Sequence, residues 1–438
     1  MTPSARLAAA IEVFGDIEAR RRPAADPLKD WGLAHRFAGA SDRAAIAGLV
    51  YDALRRKASS AWLIGAASPR ATLIGMLRRE RGLAVEAIEA LFSGTRFAPE
   101  PLTEAERAAL AADALADAPA YVLGDYPQWL DPHFARVFAD DRAAEGAALA
   151  SRAPLDLRVN TLKSERDEVR SRLAHLGAEP TRWSPIGLRI RLSADAKSPA
   201  ILAEPAFLKG LIEIQDEGSQ LAALFAAVNP GEQVVDLAAG AGGKTLALCA
   251  AMQNRGQIYA TDIDKRQLAP IYERIARAGA RNIQVRGPAA RGAGGQDAAL
   301  GDLAGRIDCV LIDAPCTGTG TWRRNPDAKW RVRPGALAER VRQQQALLDR
   351  AALLLKPGGR IVYITCSVLQ EENGDQVRAF LSRHADFGVV ASRQMVAQAL
   401  GERAVLFCLA VLLSPEGLLM TPRLTDTDGF YVAVLRKT

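Results

Sequence analysis

The pattern of hydrophobic and polar positions divides the chain into three regions. Residues 1–148 carry apolar side chains at helical spacing, as in "SDRAAIAGLVYDALRR", where Ser and Asp precede the periodic run. Pro and Gly interrupt these segments, as in "SGTRFAPEP". The first region is therefore predicted to be an all-helical bundle.

The second region, residues 149–210, mixes two periods. Leu155, Leu157 and Val159 alternate with polar neighbours, which is typical of a strand, and "GLRIRL" repeats that alternation. Between them, "ERDEVRSRLAHLG" reads as a helix that ends at Gly177. We expect a small α+β module here.

In the third region, residues 211–438, short apolar strands alternate with helical stretches. The strands lie in "EQVVDLAAGAGGKT", "GQIYATDID", "IDCVLIDAPC" and "GGRIVYITCS". This alternation predicts an α/β domain with a parallel, doubly wound sheet. In such a sheet the carboxyl ends of the strands face the ligand crevice, so residues at those ends are the candidates for chemistry.

The composition limits the class of protein. The chain of 438 residues is 49% hydrophobic and 24% charged, and it shows neither a long apolar run nor a signal-peptide pattern. Five cysteines without a CxxC pair and four scattered His argue against a metal site or a disulfide framework. We expect free thiols in the cytoplasm, no membrane segment and a monomer. The net charge of +6 weakly favours a polyanionic partner.

Two strand ends predict a nucleotide-type ligand. "VVDLAAGAGGKT" takes a strand through Asp236 into a glycine-rich turn, where small residues let a ligand approach the backbone closely. Asp262 ends the next strand, at the place where an acid binds ribose hydroxyls in Rossmann-like sheets. Asp264 better fits a helix N-terminal acid. These features indicate an adenosine-containing cofactor but leave NAD and S-adenosylmethionine as alternatives.

Two further strand ends each carry a thiol, Cys316 in "DAPC" and Cys366 in "YITCS". Cys249, Cys309 and Cys408 are interpreted as buried structural residues. A thiolate that adds to C6 of cytosine makes C5 nucleophilic enough to attack a methyl sulfonium, and a second thiolate can then remove the C5 proton. Asp313 is placed to stabilise the adduct at N3, for which it must be protonated or share a proton.

The stretch after Cys316 is rich in basic and aromatic residues. Seven cations between Thr321 and Arg342 face only two acids, Asp327 and Glu339. Such side chains can hold a nucleic-acid backbone and stack on unpaired bases. The residues predicted to contact RNA are Arg323, Arg324, Asn325, Lys329 and Trp330.

These motifs resemble those of the Sun/Fmu-type RNA cytosine-5 methyltransferases. The resemblance rests on "QDEGSQL", "DLAAGAGGKT", "DAPCTGTGTWRRNPDAKW", "TCSVLQEEN" and "DGFYVAVL". It implies a Rossmann-like class I methyltransferase domain at 211–438 and an RNA-binding extension at 149–210. "HRFAGASDRAAIAGLVYDALR" and "YPQWLDPHF" resemble the NusB-like domain of bacterial small-subunit ribosomal RNA enzymes, which would occupy 1–148.

The resemblance also assigns roles to residues. Cys366 would be the nucleophile and Cys316 would assist adduct release, with Asp313 between cofactor and base. The cofactor would be S-adenosyl-L-methionine, and the substrate RNA, with 16S ribosomal RNA favoured and tRNA as the alternative. The residues that would bind the cofactor are Ala238, Ala239, Gly240, Ala241, Gly242, Gly243, Lys244, Asp262 and Asp313.

The sequence departs from the family pattern around the cofactor. The family's Cys-Ala-Ala-Pro-Gly-Gly-Lys is Ala238 to Lys244 here and lacks the Pro, which loosens the turn. Pro288, in a loop rich in Gly and Ala, replaces an Asp that contacts adenine, and Pro offers neither a carboxylate nor an N–H. We expect weaker cofactor binding, or a substitute acid such as Asp297 or Asp302.

Other classes stay open on the sequence alone. DNA cytosine methylation would use a Pro-Cys thiol such as Cys316, and Cys366 argues against it. A non-catalytic RNA-binding or ribosome assembly factor fits the helical start and the departure at Pro288. A nicotinamide dehydrogenase would leave both strand-end thiols without a role.

Overall fold

The chain divides into two units in a computed structural model that describes residues 1–112, 114–191, 199–287 and 300–438. One unit comprises Met1–Arg152 together with Thr321–Arg333, and the other comprises Ala153–Gly320 and Pro334–Thr438. Across the described ranges, no helix has the length and apolar character needed to cross a membrane.

The first unit is helical, as the spacing of apolar residues predicts. Thr2 caps the first helix by accepting from the Ala5 amide, and Pro3 occupies the first turn, where no backbone donor is needed. The predicted run at Ser41 forms a helix whose inner face buries Ile46 and Val50. The described helices of this unit are α1 (Pro3–Arg20), α2 (Ala25–Ala34), α3 (Ala40–Arg55), α4 (Lys57–Ile64), α5 (Pro69–Arg79), α6 (Val85–Leu91), α7 (Glu104–Ala112), α8 (Ala120–Leu123), α9 (Asp131–Phe138), α10 (Arg142–Leu149) and, later in the chain, α17 (Pro326–Arg331).

The second unit starts with a small antiparallel sheet, which matches the predicted α+β module. Its strand order is β2-β3-β1-β4, and its last strand lies just beyond residue 210, the predicted end of the module. Gly177 follows the predicted helix with a φ of 66°, a left-handed conformation that favours glycine. The elements are β1 (Leu155–Val159), α11 (Arg166–Arg172), β2 (Glu179–Pro180), β3 (Gly187–Ile190), α12 (Pro205–Leu208) and β4 (Ile212–Ile214).

The rest of this unit is the predicted α/β domain. Its large sheet has the strand order β11-β12-β13-β9-β8-β5-β6-β7, and β10 pairs with β13. The strands are β5 (Gln233–Asp236), β6 (Gln257–Thr261), β7 (Ile283–Arg286), β8 (Ile307–Asp313), β9 (Leu355–Thr365), β10 (Phe387–Val389), β11 (Leu412–Leu413), β12 (Leu418–Met420) and β13 (Phe430–Lys437). The described helices are α13 (Glu217–Leu224), α14 (Gly243–Ala251), α15 (Lys265–Leu268), α16 (Ile271–Ala278), α18 (Pro334–Leu354), α19 (Gly374–Arg383), α20 (Ser392–Leu400), α21 (Ala404–Leu409) and α22 (Pro422–Thr425).

The parallel strands β5 to β9 form the centre of this sheet. Apolar runs such as Val310–Ile312 and Ile361–Ile364 are fully buried, as expected for strands that are covered on both faces. The chain proceeds from β5 towards β7 in one direction and then returns to β8 and β9 on the other side. The topological switch point therefore lies between β5 and β8, where ligands bind in open α/β sheets.

Candidate active site

The strand ends on both sides of the switch point bring the predicted chemical groups together. Asp236 ends β5 and Asp313 ends the neighbouring β8, while Asp262 directly follows β6. Cys316 lies three residues after β8, and Cys366 directly follows β9. The two sulfur atoms are 3.3 Å apart. The carboxyl edge of the sheet thus presents two thiols beside three carboxyl groups.

The glycine-rich turn owes its shape to two left-handed residues, Gly240 with a φ of 49° and Gly242 with a φ of 83°. A Cβ atom on Gly242 would come within 2.4 Å of the Ile271 side chain, so this glycine serves the packing of the turn on α16. The Gly240 amide donates to Asp262 Oδ2 at 2.9 Å, which links the turn to the next strand end. Asp264 caps α15 through the Arg266 amide, as predicted.

Two arginines hold the carbonyl side of the same turn, and no local sequence pattern predicts them. Arg158 from β1 donates to Gly243 O at 2.6 Å. Arg274 from α16 donates to Ala241 O at 2.7 Å. Ala241 stands where the resembled family has Pro, so these guanidinium groups restrain a turn that has lost its stiffest residue.

A cavity of about 1310 Å³ opens above these strand ends. Of the predicted cofactor residues, all but Gly242 line it. Asp236 also lines the cavity, and its Oδ1 atom is buried without a hydrogen-bond partner in the described part of the chain. Burial raises the pKa of Asp236 to about 7, although Thr245 donates to its other oxygen at 2.7 Å. An orphaned oxygen, a second acid and an open turn fit the polar groups of S-adenosylmethionine.

Asp313 is paired with a cation in the cavity. The Lys244 ammonium lies 2.6 Å from Asp313 Oδ2, and the lysine side chain is 7% exposed against 35% for the aspartate. The ammonium therefore donates a hydrogen bond to the carboxylate that the sequence analysis expects beside the base. Lys244 reaches this position because it stands in the first turn of α14, directly after the glycines.

The surroundings of the Cys316 thiol change its acidity. The pKa of Cys316 is raised well above its usual value by its contact with Cys366, by burial and by the charge of Glu372. A thiol with a raised pKa binds a proton more strongly, which suits a base better than a leaving group. Cys249, Cys309 and Cys408 are buried, in agreement with their predicted structural role.

The residues predicted to contact RNA lie in the helical unit. Arg323 and Lys329 are each 1% exposed, and the Lys329 ammonium donates to Arg55 O at 3.1 Å. The Trp330 indole donates to Leu54 O at 2.7 Å. Burial lowers the pKa of Lys329 to about 7. The charged ends of Arg323 and Lys329 thus point into the protein, and their burial argues against direct RNA contacts.

Other predictions in this region have different outcomes. Asn325 is exposed and Arg324 is half-buried, so RNA contact by these two residues stays a prediction. Pro288 and Asp297 lie outside the described residues. Asp302 is described, and its two carboxylate oxygens lie 2.6 and 3.0 Å from the Arg286 guanidinium.

The fold and the site together define a Rossmann-like methyltransferase, with S-adenosylmethionine as the cofactor. The model of the 16S rRNA methyltransferase RsmB/F family matches residues 223–436, and that of the RsmF/B-like ferredoxin-like domain matches residues 126–196. The chain belongs to the RsmB/F family of 16S rRNA methyltransferases.

Known proteins resemble this chain over most of its length. The ribosomal RNA small subunit methyltransferase B of Erwinia tasmaniensis is 33% identical over 314 residues, which cover 71% of this chain and 66% of that protein. The probable ribosomal RNA small subunit methyltransferase B of Synechocystis is 32% identical over 321 residues, which cover 71% of this chain and 67% of that protein. A crystal structure of a methyltransferase homologue from Pyrococcus horikoshii is 27% identical, with a TM-score of 0.57, and covers 73% of this chain and 98% of that one.

Proposed function

We propose that this protein methylates C5 of cytosine in RNA, with small-subunit ribosomal RNA as the favoured substrate. The observation that carries the proposal is the pair of thiols 3.3 Å apart beside the Lys244–Asp313 pair. Two adjacent thiols are what a covalent C5 methylation needs, because one adds to the base and the other removes a proton. Membership in a 16S rRNA methyltransferase family supports the choice of RNA.

In the first half of the reaction the Cys366 thiolate adds to C6 and forms a C–S bond. The electrons of the C5=C6 bond move towards N3, and N3 takes a proton that the Lys244 ammonium passes on through the Asp313 carboxylate to which it donates. Bound S-adenosylmethionine would supply an electrophilic methyl group on sulfonium. The glycine-rich turn and Asp262, which line the cavity, would hold this cofactor, and C5 of the Cys366 adduct would be the carbon that accepts its methyl group.

In the second half Cys316 first loses its thiol proton to solvent, and the resulting thiolate takes the remaining proton from C5. The C5–H electrons re-form the C5=C6 bond, and Cys366 leaves as a thiolate. Cys316 is suited to this step because its raised pKa favours the protonated product. The target cytosine must leave its base stack to reach the two sulfur atoms.

The test is methylation of unmodified 16S rRNA and of tRNA transcripts, followed by mass spectrometry of the nucleosides. Wild type is expected to form 5-methylcytidine in 16S rRNA, and Cys366→Ala to lose at least about 1000-fold in rate, since covalent catalysis is removed. Cys408→Ala is the matched control, because this thiol lies in α21. If only tRNA yielded product, tRNA would replace 16S rRNA as the proposed substrate. If Cys366→Ala kept full activity, Cys366 would not be the nucleophile.

Cys316→Ala provides a second readout. Without the proton acceptor the adduct should persist, so a protein–RNA complex should survive denaturing electrophoresis. Absence of both product and adduct with every RNA would contradict the proposed function and favour a non-catalytic RNA-binding factor.

A further inference from the structure

A buried polar cluster lies beside Cys316 and has no part in the mechanism so far. Its centre is formed by Glu372, in the loop after β9, and by Gln344 of α18. Both side chains are fully buried. Glu372 Oε1 accepts from the Thr317 amide at 2.9 Å, and Oε2 accepts from the Thr317 hydroxyl at 2.5 Å. A buried carboxyl group with several donors is a costly arrangement that a merely structural turn does not need.

The cluster holds the backbone on both sides of Cys316. The Gln344 amide donates to Pro315 O and to Glu372 Oε1, both at 3.0 Å. The carbonyl before Cys316 and the amide after it are thereby fixed to the same two side chains. Tyr363 in turn donates to the backbone carbonyl of Glu372 at 2.6 Å, which ties the cluster to β9 and to the strand end that carries Cys366.

The loop of Cys366 is tied to that of Cys316 as well. The Gly320 amide donates to Cys366 O at 2.9 Å, and the hydroxyl groups of Thr319 and Ser367 are 3.0 Å apart. The sulfur–sulfur distance is therefore set by a continuous hydrogen-bonded network. Glu372 is the acid of that network whose charge acts on Cys316.

We propose that Glu372, supported by Gln344, is a positioning residue that holds Cys316 against Cys366 and strengthens it as the base for adduct release. This inference rests on the proposed cytosine-5 chemistry. A carboxylate near a thiol disfavours the thiolate, so the proton taken from C5 is held more firmly when Glu372 is charged. The geometry serves the last step of the reaction.

Glu372→Gln tests the inference because it keeps the shape and most hydrogen bonds while it removes the charge. The matched control is Glu232→Gln, since Glu232 is a partly buried carboxylate that pairs with Arg360 and precedes β5, at the opposite edge of the sheet. The first readout needs no RNA: the rate at which iodoacetamide alkylates Cys316, followed by peptide mass spectrometry across pH. In Glu372→Gln the alkylation should begin at lower pH than in wild type and in Glu232→Gln.

The second readout is turnover on RNA. Glu372→Gln is expected to lower kcat about 10-fold, to leave KM for RNA within about twofold, and to raise the fraction of covalent protein–RNA adduct. Thr317→Val removes only the hydroxyl contact and should also raise the fraction of covalent adduct. This variant replaces Glu372→Gln in the test if Glu372→Gln does not fold. An alkylation profile and an adduct level equal to those of wild type would overturn the inference.

The two readouts separate this inference from the proposed function. A shifted alkylation profile in a protein whose wild type forms no 5-methylcytidine would support the coupling of Glu372 to Cys316 and contradict the cytosine-5 reaction. A shifted profile with normal turnover and no excess adduct, in a protein whose wild type is active, would overturn the role in release.

Discussion

The two halves of one stretch, "LIDAPCTGTGTWRRNPDAKW", behave differently. Residues 311–320 lie in the α/β unit, where Asp313 and Cys316 join the other strand ends. Residues 321–330 belong to the helical unit, where Trp322 stacks on Phe134 with ring centroids 5.8 Å apart. The first half brings Asp313 and Cys316 to the strand ends, as the strand pattern predicts, whereas Trp322 of the second half packs in another unit.

The difference comes from the kind of rule behind each prediction. Parallel strands present their carboxyl ends at one edge of the sheet because of its topology, and the alternation of strands and helices in the sequence reveals that topology. The prediction that basic and aromatic residues contact RNA rests only on side-chain chemistry. The N–H donors of these side chains can equally well bind buried carbonyl groups of the protein. Lys329 and Trp330 donate to carbonyls of α3 instead of to phosphates.

Trp322→Ala tests the structural role of the second half of the stretch. The indole is fully buried in the helical unit, so its removal should lower the free energy of unfolding by about 3–5 kcal/mol. Urea unfolding followed by circular dichroism measures this loss. A surface residue that only stacks on RNA would show the opposite result: unchanged stability and weaker RNA binding.

Asp313→Asn probes the other half of the stretch. The neutral amide cannot accept the Lys244 proton and pass it on as a carboxylate can, so the rate of methyl transfer should fall about 100-fold with little change in stability. Asp308→Asn makes the same change at the amino end of β8, where the carboxylate pairs with Lys356, and should keep the wild-type rate. Equal rates for the two variants would mean that Asp313 does not act on the base.

A pH series on Lys329→Met tests the burial of the basic segment. The folded pKa of Lys329 is about 7, below the ordinary 10.5 of an unfolded chain. Between these values the unfolded chain binds one more proton than the folded one, so wild-type stability gains from rising pH, and the full cost of burying the charge is present below pH 7. From pH 7 to 9 wild type should gain about 2 kcal/mol relative to Lys329→Met. Parallel stability curves would contradict this burial.

Much of the fold follows from the sequence because local periodicity is informative there. The buried runs of β8 and β9 and the helical spacing around Ile46 identified their elements correctly. The β4 strand was missed as part of the small sheet because three residues carry too little pattern. The placement of Thr321–Arg333 depends on long-range packing, which no local window contains.

Within the site, sequence reasoning found the groups at strand ends and missed their supports. Glu372 stands in the quoted "TCSVLQEEN", where it had no assigned role, and its contact with Thr317 depends on how two loops meet. Gln344, Arg158 and Arg274 act from helices and from the small sheet, so nothing in their own neighbourhoods marks them.

Asp302 is one of the two acids expected to substitute for the family's adenine contact, and its removal should have little effect. Asp302 is 59% exposed, is engaged by Arg286 and does not line the cavity, so Asp302→Ala should change the Kd of S-adenosylmethionine by less than about twofold. Asp262→Ala, which removes the acid that lines the cavity, should weaken binding about 10-fold or more in the same calorimetric titration. If Asp302→Ala weakened binding as much as Asp262→Ala, Asp302 would have to leave Arg286 when the cofactor binds. If Asp302→Ala leaves the Kd nearly unchanged, Asp302 does not substitute for the missing Asp. The weaker binding that Pro288 predicts is then measured by comparing the wild-type Kd of S-adenosylmethionine with that of a relative that retains the Asp.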